Sequence, residues 1–365
     1  MSPMAEKKTT ITIIFNEPAS LLKRDSQKVV SEAGELTQEL PQSFEGDIPP
    51  VDLSEIDVLE QKEEIAAALK ELGYKPTVFN VDGDISRLVN FLKSKKPDLI
   101  FNMCESVMNN AIHEMHVAGI YELMGVNYTG ATPLVLGTAL HKFRVKEILI
   151  VNGLPTPRYQ VVKTPMNFEF DERLQFPLIV KPSREDASIG ITPASVVYSL
   201  DELKKQVHHV IENFDQPAVV EEYIDGRELN VAILGNRKPI ALPISEVDMS
   251  TLPAHLPRII TYNAKWLKGT DEYECTKGVC PALLPPELEE RIKSLALEAY
   301  QLVGCRDYSR VDIRLSKDYQ PYIIEVNPNP DISEDAGYMR SARTYGLSFS
   351  ETIGKIVECA LERTA

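Results

Sequence analysis

The sequence predicts an α/β protein of two or three domains, and three observations support this prediction. The chain of 365 residues is long enough to bury several sizeable cores. Apolar, β-branched runs alternate with helix-spaced patterns over roughly the first 130 residues, which is typical of an open, largely parallel sheet. Near the C-terminus, two such runs flank the polar turn SKDYQ and indicate a hairpin over residues 308–330, with Ile324 and Val326 on one face.

The first part of the chain supplies the strands and helices of the parallel sheet. A strand over residues 8–15 precedes an acidic, polar stretch near residues 22–56, which we interpret as a surface insertion or loop; a lid is the alternative. The elements expected next are a helix over 57–72 that ends at Gly73, the strand PTVFNV, a helix over 85–95, the strand DLIFNM and a helix near 113–124.

The middle of the chain mixes helices with strands. Residues 131–153 hold a helix that ends at Gly153, and the apolar strand PLIVKP precedes a loop of small residues, SREDASIGIT. The segments AVVEEYIDG and RELNVAILG are predicted to pair through an Asp-Gly turn. Further helices are expected over residues 199–212, 286–304 and 350–363.

The C-terminal hairpin gathers charged side chains on one face. Because side chains alternate along a strand, Asp312 is predicted to lie across from Glu325, and Arg310 across from Asn327. Two opposed carboxylates repel each other unless a cation lies between them. With the amide oxygen of Asn327, they offer three hard oxygen ligands of the kind that Mg²⁺ prefers. The alternative is a solvated face neutralised by Arg310.

Composition limits the possible partners and the compartment. The net charge of −15 argues against a nucleic-acid or anionic-membrane partner, because no surplus of cations is available to meet phosphates. No apolar run reaches the length of a membrane span, and no signal-peptide core precedes ITIIF, so we expect a cytoplasmic protein. The five cysteines contain no CxxC pair, which favours free thiols.

Several polar residues at strand and loop edges are candidates for a nucleotide site, although the motifs GxxxxGK[ST] and GxGxxG are absent. Lys142 begins a helix, and Lys181 closes an apolar strand, where a partly buried lysine needs an anion; a surface lysine is the alternative. The loop with Ser188 could fold over phosphates or simply connect two elements. Glu221–Ile224 and Glu228 suit an adenine and ribose pocket, although a lone glutamate is more often a surface charge.

Six segments, in order, resemble the ATP-grasp superfamily and, within it, the D-alanine–D-alanine ligases and their relatives. They run from Tyr121 to Pro330: YELMGVNYTG, HKFRVK…NGLPTP, FPLIVKPSREDASIG, VVEEYIDGRELNVAILG, YNAKW and RVD…EVNPNP. The resemblance implies an N-terminal α/β domain over residues 1–134 and a two-part ATP-grasp fold of α+β character. Its central subdomain would cover residues 135–225, and its C-terminal subdomain, with the hairpin, residues 226–365.

The resemblance also implies a reaction and roles for matching residues. ATP would phosphorylate a substrate carboxylate, and an amine would then displace phosphate from the acyl phosphate. Arg310 would stabilise the oxyanion, and Lys265 would reach the γ-phosphate. The residues implied to bind ATP are Lys142, Lys181, Ser188, Glu221, Tyr223, Ile224, Glu228 and Lys265. The residues implied to hold two Mg²⁺ ions are Asp312, Glu325 and Asn327.

The segments that would bind the substrates depart from the family pattern. The segment FNEPAS replaces the family's GGxSxE turn after the first strand, and Glu17 is a candidate to take the place of its glutamate. A segment with His113 and Glu114 replaces HGxxGEDG, either as a different pocket or as loop and helix surface. Ala187 replaces a serine, and Trp266 replaces the tyrosine that follows the γ-phosphate lysine.

The segment PDISEDAG, with Asp331 and Ser333, replaces the PGMTxxS that receives the second substrate's carboxylate. Acidic residues there are expected to disfavour a free carboxylate nearby. We therefore predict an ATP-dependent carboxylate–amine ligase with altered specificity for small-molecule or peptide substrates, and family relatives suggest a homodimer. The alternatives are a genuine D-alanine–D-alanine ligase of cell-wall synthesis and a non-catalytic, ATP-binding regulatory protein.

Overall fold

The computed structural model describes residues 8–17, 53–108, 110–166 and 168–363. Most of the acidic stretch predicted near residues 22–56 therefore lies outside the described residues. The strands of the described chain form three sheets, which follow one another along the sequence. The domain boundaries at 134/135 and 225/226 remain predictions. In the part of the chain that is described, no helix combines the length and the apolar character needed to cross a membrane.

The N-terminal sheet is the open parallel sheet that the sequence predicts. Its strands are β1 (Thr10–Phe15), β2 (Lys75–Asn80) and β3 (Leu99–Met103), in the order β2-β1-β3 with every pair parallel. Parallel neighbours need crossover connections, which α1 (Leu53–Glu71) and α2 (Ile85–Lys95) provide. Helix α1 begins four residues before the predicted position and buries Ile65 and Leu69.

Three helices connect this sheet to the rest of the chain: α3 (His113–Leu123), α4 (Pro133–Leu140) and α5 (Lys142–Val151). The single helix expected over residues 131–153 is thus two helices. The chain leaves helical geometry at His141, with φ −88° and ψ 87°, while its ring nitrogen Nδ1 contacts the carbonyl of Gly137 at 2.8 Å. This break places Lys142 at the first position of α5.

The central sheet is antiparallel and consists of β4 (Tyr159–Val162), β5 (Leu178–Pro182), β6 (Val196–Val197) and β7 (Ala218–Glu222). Its order is β4-β7-β5-β6, and helix α6 (Leu200–Phe214) packs on one face. The sequence predicts that β7 pairs with the next strand, and this is wrong. That strand, β8 (Gly226–Leu234), pairs with strands of a different sheet, so the Asp-Gly segment links two sheets.

The C-terminal sheet has the order β11-β10-β8-β12-β13, with β9 paired to β8. The other strands are β9 (Ile240–Ala241), β10 (Ser245–Asp248), β11 (Lys277–Val279), β12 (Tyr308–Ser316) and β13 (Pro321–Asn327). The remaining helices are α7 (Tyr262–Trp266), α8 (Asp271–Glu274), α9 (Pro286–Val303), α10 (Gly337–Tyr345) and α11 (Phe349–Glu362). Helix α9 covers the apolar face through Ile292 and Ala296.

The hairpin β12–β13 contains an irregularity that the alternating pattern does not predict. Its register shifts between Asp312 and Ile313, so that Asp312 pairs with Glu325 but Ile313 pairs with Ile323. A bulge of this kind breaks strict alternation of faces. Consequently Ile323 and Val326 are fully buried, whereas Ile324, predicted to share the face of Val326, is only partly buried.

Candidate active site

The charged face of the hairpin is as the sequence predicts. Asp312 lies directly across from Glu325, and Arg310 across from Asn327. On the other side of β12, Asn230 of β8 is the partner of Asp312. Five polar side chains from three neighbouring strands therefore share one surface, which is opposite the apolar face covered by α9.

Asp312 is at the centre of this surface and is almost completely buried. Arg310 donates two hydrogen bonds to its carboxylate, from Nε at 2.7 Å and from Nη2 at 2.8 Å. The side-chain amides of Asn230 and Asn327 donate two more, at 2.7 and 2.8 Å. A carboxylate with this many charge-assisted and amide donors is firmly oriented.

Glu325 is held by the lysine that begins α5. Lys142 forms an ion pair with Glu325 and donates a second hydrogen bond to Asp186 at 3.1 Å. Its backbone N–H donates to the carbonyl of Ser183 at 3.2 Å, which fixes the helix start against the following loop. Burial opposes ionisation of Glu325, but the ammonium of Lys142 outweighs it and lowers the pKa of Glu325 to about 2.

A second ion-pair cluster lies on the central sheet. Glu221, 2% exposed, pairs with Lys181 and, at 2.6 Å, with Lys146. Burial raises the pKa of Glu221, yet the two ammonium groups prevail and lower it to about 2. Lys146 is absent from the sequence prediction. Its spacing from Lys142 is the sequence feature that indicates it, because residues four apart on a helix share a face and Lys142 is a predicted site residue.

Lys146 is itself 2% exposed and donates to the hydroxyl of Thr156 at 2.9 Å. Burial lowers its pKa although Glu221 acts in the opposite direction. A lysine and a glutamate that are both withdrawn from water cost free energy unless each satisfies the other. Glu221, itself paired with Lys146, holds the ammonium group of Lys181 in place.

The predicted ribose residue, Glu228, meets an arginine that the sequence analysis missed. Arg314 donates to Glu228 at 3.1 Å and to the carbonyl of Ile224 at 3.1 and 2.9 Å, and its guanidinium lies 5.8 Å from the ring centre of Tyr223. Burial raises the pKa of Glu228, although Arg314 opposes this. Arg314 thus connects all three of these predicted nucleotide-binding residues, and alternation along β12 places it on the same face as Arg310 and Asp312.

The loop after Lys181 is fixed by local geometry. Ala187 and Ser188 both have positive φ, 53° and 63°, a conformation that is uncommon for residues other than glycine. The indole N–H of Trp266 donates to the carbonyl of Ala187 at 3.1 Å and joins the loop to α7. Lys265, the neighbour of Trp266, is solvent-exposed, and among the described residues none accepts a hydrogen bond from its ammonium.

The predicted substrate residues fall into two groups. Glu114 accepts a hydrogen bond from Asn329 at 2.7 Å, and both residues line a pocket with Cys104, Tyr308 and Ile332. Burial raises the pKa of Glu114 to about 8, although the hydrogen bond from Asn329 opposes this.

The side chains of the other predicted substrate residues form hydrogen bonds with neighbouring residues of the protein. The side chain of Glu17 accepts from Asn80 of the edge strand β2 at 2.9 Å and does not line this pocket. His113 contacts the carbonyl of Val107 through Nδ1 at 2.8 Å. The carboxylate of Asp331 accepts from Gln61 at 3.2 Å and from the backbone N–H of Ser333 at 2.8 Å.

The chemistry of Asp312, Glu325 and Asn327 fits a magnesium ion. The three side chains offer hard oxygens from adjacent strands on one face, as this cation requires. Asn327 directs its amide nitrogen at Asp312, which leaves its amide oxygen for a ligand. Within the described ranges there is no group of three or more His, Cys, Asp or Glu residues that could hold a metal, so this set of two carboxylates and one amide is the candidate.

Comparisons with known proteins agree with this geometry. Residues 148–358 match the family model described as the D-ala D-ala ligase C-terminus. The uncharacterised protein y4sG of Sinorhizobium fredii is 32% identical over 306 residues, which cover 82% of this chain and 87% of that protein. The D-alanine–D-alanine ligase of Carboxydothermus hydrogenoformans is 30% identical, with 82% of this chain and 91% of that protein covered.

Solved structures extend the comparison to nearly the whole chain. The D-alanine–D-alanine ligase of Bacillus anthracis, in a crystal structure with ATP, superposes with a TM-score of 0.71 at 25% identity and covers 98% of each chain. A second structure of that enzyme gives a TM-score of 0.73. The predicted fold class is therefore confirmed.

Fold and site together define an ATP-grasp enzyme, an ATP-dependent ligase that forms C–N bonds. The chain belongs to the D-alanine–D-alanine ligase family.

Proposed function

We propose that this enzyme joins a carboxylate to an amine through an acyl phosphate and that its substrates are not two D-alanines. The observation that carries the first half is the clustering of Lys142, Glu325, Arg310 and Asp312 on the hairpin face. Support for the second half comes from the substrate end, where Trp266 and the PDISEDAG segment replace the residues of the family pattern.

The nucleotide would lie between the central and C-terminal sheets. Lys142 and Lys181, each now paired with a glutamate, would turn to the phosphates, and the loop with Ser188 would cover them through backbone amides. The free ammonium of Lys265 would meet the γ-phosphate. Glu221, Tyr223 and Ile224 would contact adenine, partly through the backbone, and Glu228 would bind the ribose hydroxyls.

Asp312, Glu325 and Asn327 would hold Mg²⁺, and we propose two ions. When bound, the ions neutralise charge on the transferring phosphoryl group. In the structure Lys142 forms an ion pair with Glu325. Glu325 can bind Mg²⁺ only when Lys142 releases its carboxylate, and the phosphates of ATP would then pair with the ammonium of Lys142. Four donated hydrogen bonds keep Asp312 oriented before any ligand arrives.

Arg310 would stabilise the oxyanion that forms when the amine attacks the acyl carbon. Its Nε and Nη2 both donate hydrogen bonds to Asp312, and in the described part of the chain Nη1 has no acceptor. A guanidinium held rigidly by one face, with a free N–H on the other, is preorganised for such a charge. Glu114 and Asn329 would contribute to the substrate pocket beside it.

A product assay tests this proposal. The purified enzyme is incubated with ATP, Mg²⁺ and a matrix of amino acids, short peptides and simple amines, and ADP release and product masses are recorded. We expect a ligation product and ADP with a pair other than two D-alanines. Arg310→Met should abolish product formation but retain ATP binding, whereas Arg306→Met, which removes a guanidinium that bonds the carbonyl of Gly130 outside the hairpin face, serves as the control.

A genuine D-alanine–D-alanine ligase is the second candidate, and the identity to such enzymes favours it. Formation of D-alanyl-D-alanine as the fastest reaction in the same matrix would establish it and refute our substrate proposal. Tight ATP binding with no product from any pair would instead indicate the non-catalytic alternative, against which the family relationship argues. A homodimer, a cytoplasmic location and the absence of nucleic-acid or membrane partners stay predictions.

A further inference from the structure

The guanidinium of Arg314 joins β12 to the connection between the central and C-terminal sheets. That connection, residues 223–225, follows β7 and precedes β8. Nε and Nη2 of Arg314 both donate to the carbonyl of Ile224, at 3.1 and 2.9 Å, and Nη2 also donates to the carbonyl of Gly226 at 3.2 Å. Nη1 donates to the carboxylate of Glu228 at 3.1 Å. Four of the five N–H groups of this nearly buried side chain therefore bond to one short segment.

The shape of this connection is set by its contacts with β12. A Cβ atom on Gly226 would lie 2.0 Å from the carbonyl oxygen of Leu315, so the chain passes β12 too closely for any other residue. The ring centre of Tyr223 lies 5.8 Å from the guanidinium of Arg314, within the range of a cation–π interaction. A lysine has three donors on a single nitrogen and could not reach these carbonyls and a carboxylate in one plane.

Glu228 has one carboxylate oxygen fixed and one oxygen open. Its Oε2 accepts the hydrogen bond from Arg314, whereas its Oε1 accepts none from any described residue, although the residue is buried. Burial raises the pKa of Glu228, and Asp312 acts in the same direction, while Arg314 and Lys181 oppose them. A carboxylate that is held through one oxygen by a cation can accept a ligand's hydroxyl with the other oxygen and needs no reorientation.

The strand register places this open oxygen on the surface that carries the metal-binding residues. Glu228 pairs with Arg314, and two residues further along β8 Asn230 pairs with Asp312. Two residues of a strand span about 7 Å, so Glu228 lies about that far from the position where Asp312 would hold Mg²⁺ and phosphates. The ribose and the terminal phosphates of one nucleotide are separated by a comparable distance.

We propose that Arg314 is the positioning residue that makes the enzyme select nucleotides with an intact ribose diol. It holds Glu228 with one oxygen open, and it fixes the connection 223–225 that would contact adenine. This inference rests on the ATP site proposed above and requires no particular carboxylate or amine substrate. A purely structural role, in which Arg314 only joins two sheets, is the alternative.

The test measures the dissociation constants of ATP, 2′-deoxy-ATP and 3′-deoxy-ATP by calorimetry, with Mg²⁺ and without carboxylate or amine. The three nucleotides share their base and phosphates, so the ratio of two dissociation constants isolates one ribose hydroxyl. Wild-type enzyme should bind at least one deoxy form about 10- to 100-fold more weakly than ATP, the range for a hydrogen bond to a charged group. In Arg314→Met this ratio should fall below about threefold, because nothing then holds the carboxylate of Glu228 in place.

Arg314→Lys is the second variant. It keeps a cation beside Glu228 and should therefore fold even where Arg314→Met, which leaves a buried carboxylate uncompensated, does not. Because lysine lacks the planar set of donors, the ratio should lie between those of wild type and Arg314→Met. Melting temperatures establish which variants are folded. A structural role predicts that all three nucleotides weaken equally, and the wild-type ratio in either folded variant would overturn the proposal.

Lys317→Met is the matched control. Lys317 also ties β12 and its turn to the same connection, through an ion pair with Asp225 at 2.5 Å, but the two side chains are 73% and 43% exposed. Exposed ion pairs contribute little to stability, so this variant should keep both the affinity for ATP and the ratio. Loss of discrimination in Lys317→Met would mean that any loosening of the connection has this effect, and it would contradict the assignment to Arg314.

The binding measurement separates this inference from the proposed ligase function. A ratio that is present in wild type and lost in Arg314→Met supports the inference even if no pair of substrates yields a product. Equal binding of the three nucleotides to wild type refutes it, whatever the outcome of the ligation assay.

Discussion

The buried cluster of Glu221, Lys146 and Lys181 yields a quantitative prediction. Replacing Glu221 with Gln removes the one anion that two lysines share. Lowering a carboxyl pKa from 4.5 to about 2 corresponds to roughly 3 kcal/mol of stability at neutral pH. Because Glu221 and Lys146 are each 2% exposed, solvent screens this interaction little. We expect Glu221→Gln to lower the free energy of unfolding by about 3 kcal/mol at pH 7.

The pH dependence of this loss follows from the direction of the pKa change. The folded-state pKa of Glu221 is below its unfolded value, so its stabilisation is present above about pH 4.5 and is lost as the pH falls towards 2. The difference between wild type and Glu221→Gln should therefore narrow between pH 4.5 and pH 2.

Urea unfolding of both proteins at pH 7, 5, 4 and 3 measures this difference. Glu222→Gln is the matched control, because that neighbouring glutamate is only partly buried and accepts one backbone hydrogen bond, from Gln175 at 3.3 Å. It should change stability by less than about 1 kcal/mol. A loss below about 1 kcal/mol for Glu221→Gln at pH 7, or a difference that does not narrow with acid, would refute the reasoning.

Three further substitutions probe the substrate end and the loop. The folded pKa of Glu114, about 8, exceeds its unfolded value of 4.5, so the contribution of Glu114 to stability declines as the pH rises from 4.5 to 8. Glu114→Gln should remove this decline, and melting temperatures of both proteins at pH 6 and pH 9 measure it. Gly130→Ala should cost about 1–3 kcal/mol in urea unfolding, because φ is +88° and the new Cβ would lie 2.2 Å from Oδ1 of Asn329. Trp266→Phe loses its hydrogen bond to Ala187 and should raise KM for ATP about three- to tenfold, whereas an unchanged KM would mean that this contact does not hold the loop.

The local sequence pattern predicted which residues form the charged face of the hairpin but not the residues that surround it. Alternation along the strands predicts Asp312 opposite Glu325, but in the structure this pairing depends on the bulge. The pairs nearer the turn, such as Ile313 with Ile323, would otherwise continue to Asp312 opposite Ile324. The bulge that leaves Ile324 only partly buried inserts a single residue and has no compositional signal in the sequence. Likewise, the Asp-Gly pair indicates a turn from local sequence alone. The pairing of β8 with β12 instead depends on the packing of the whole C-terminal sheet.

The ion pairs inside the site could be predicted only in part. Lys142 and Lys181 were identifiable because each stands at the edge of an apolar element. Lys146 and Arg314 gain their importance from partners 75 and 86 residues away, Glu221 and Glu228, and no spacing rule brings those pairs together. Long-range contacts of this kind are set by sheet packing, which no short segment determines.

The most direct test of the account follows the oxygen atoms of the substrate carboxylate. The enzyme is supplied with ATP, Mg²⁺ and carboxylates labelled with ¹⁸O, together with the amine panel, and the released phosphate and the product are analysed by mass spectrometry. An acyl phosphate pathway predicts ADP, an amide product and one ¹⁸O atom transferred to inorganic phosphate. Release of AMP and pyrophosphate, or amide formation with unlabelled phosphate, would contradict it.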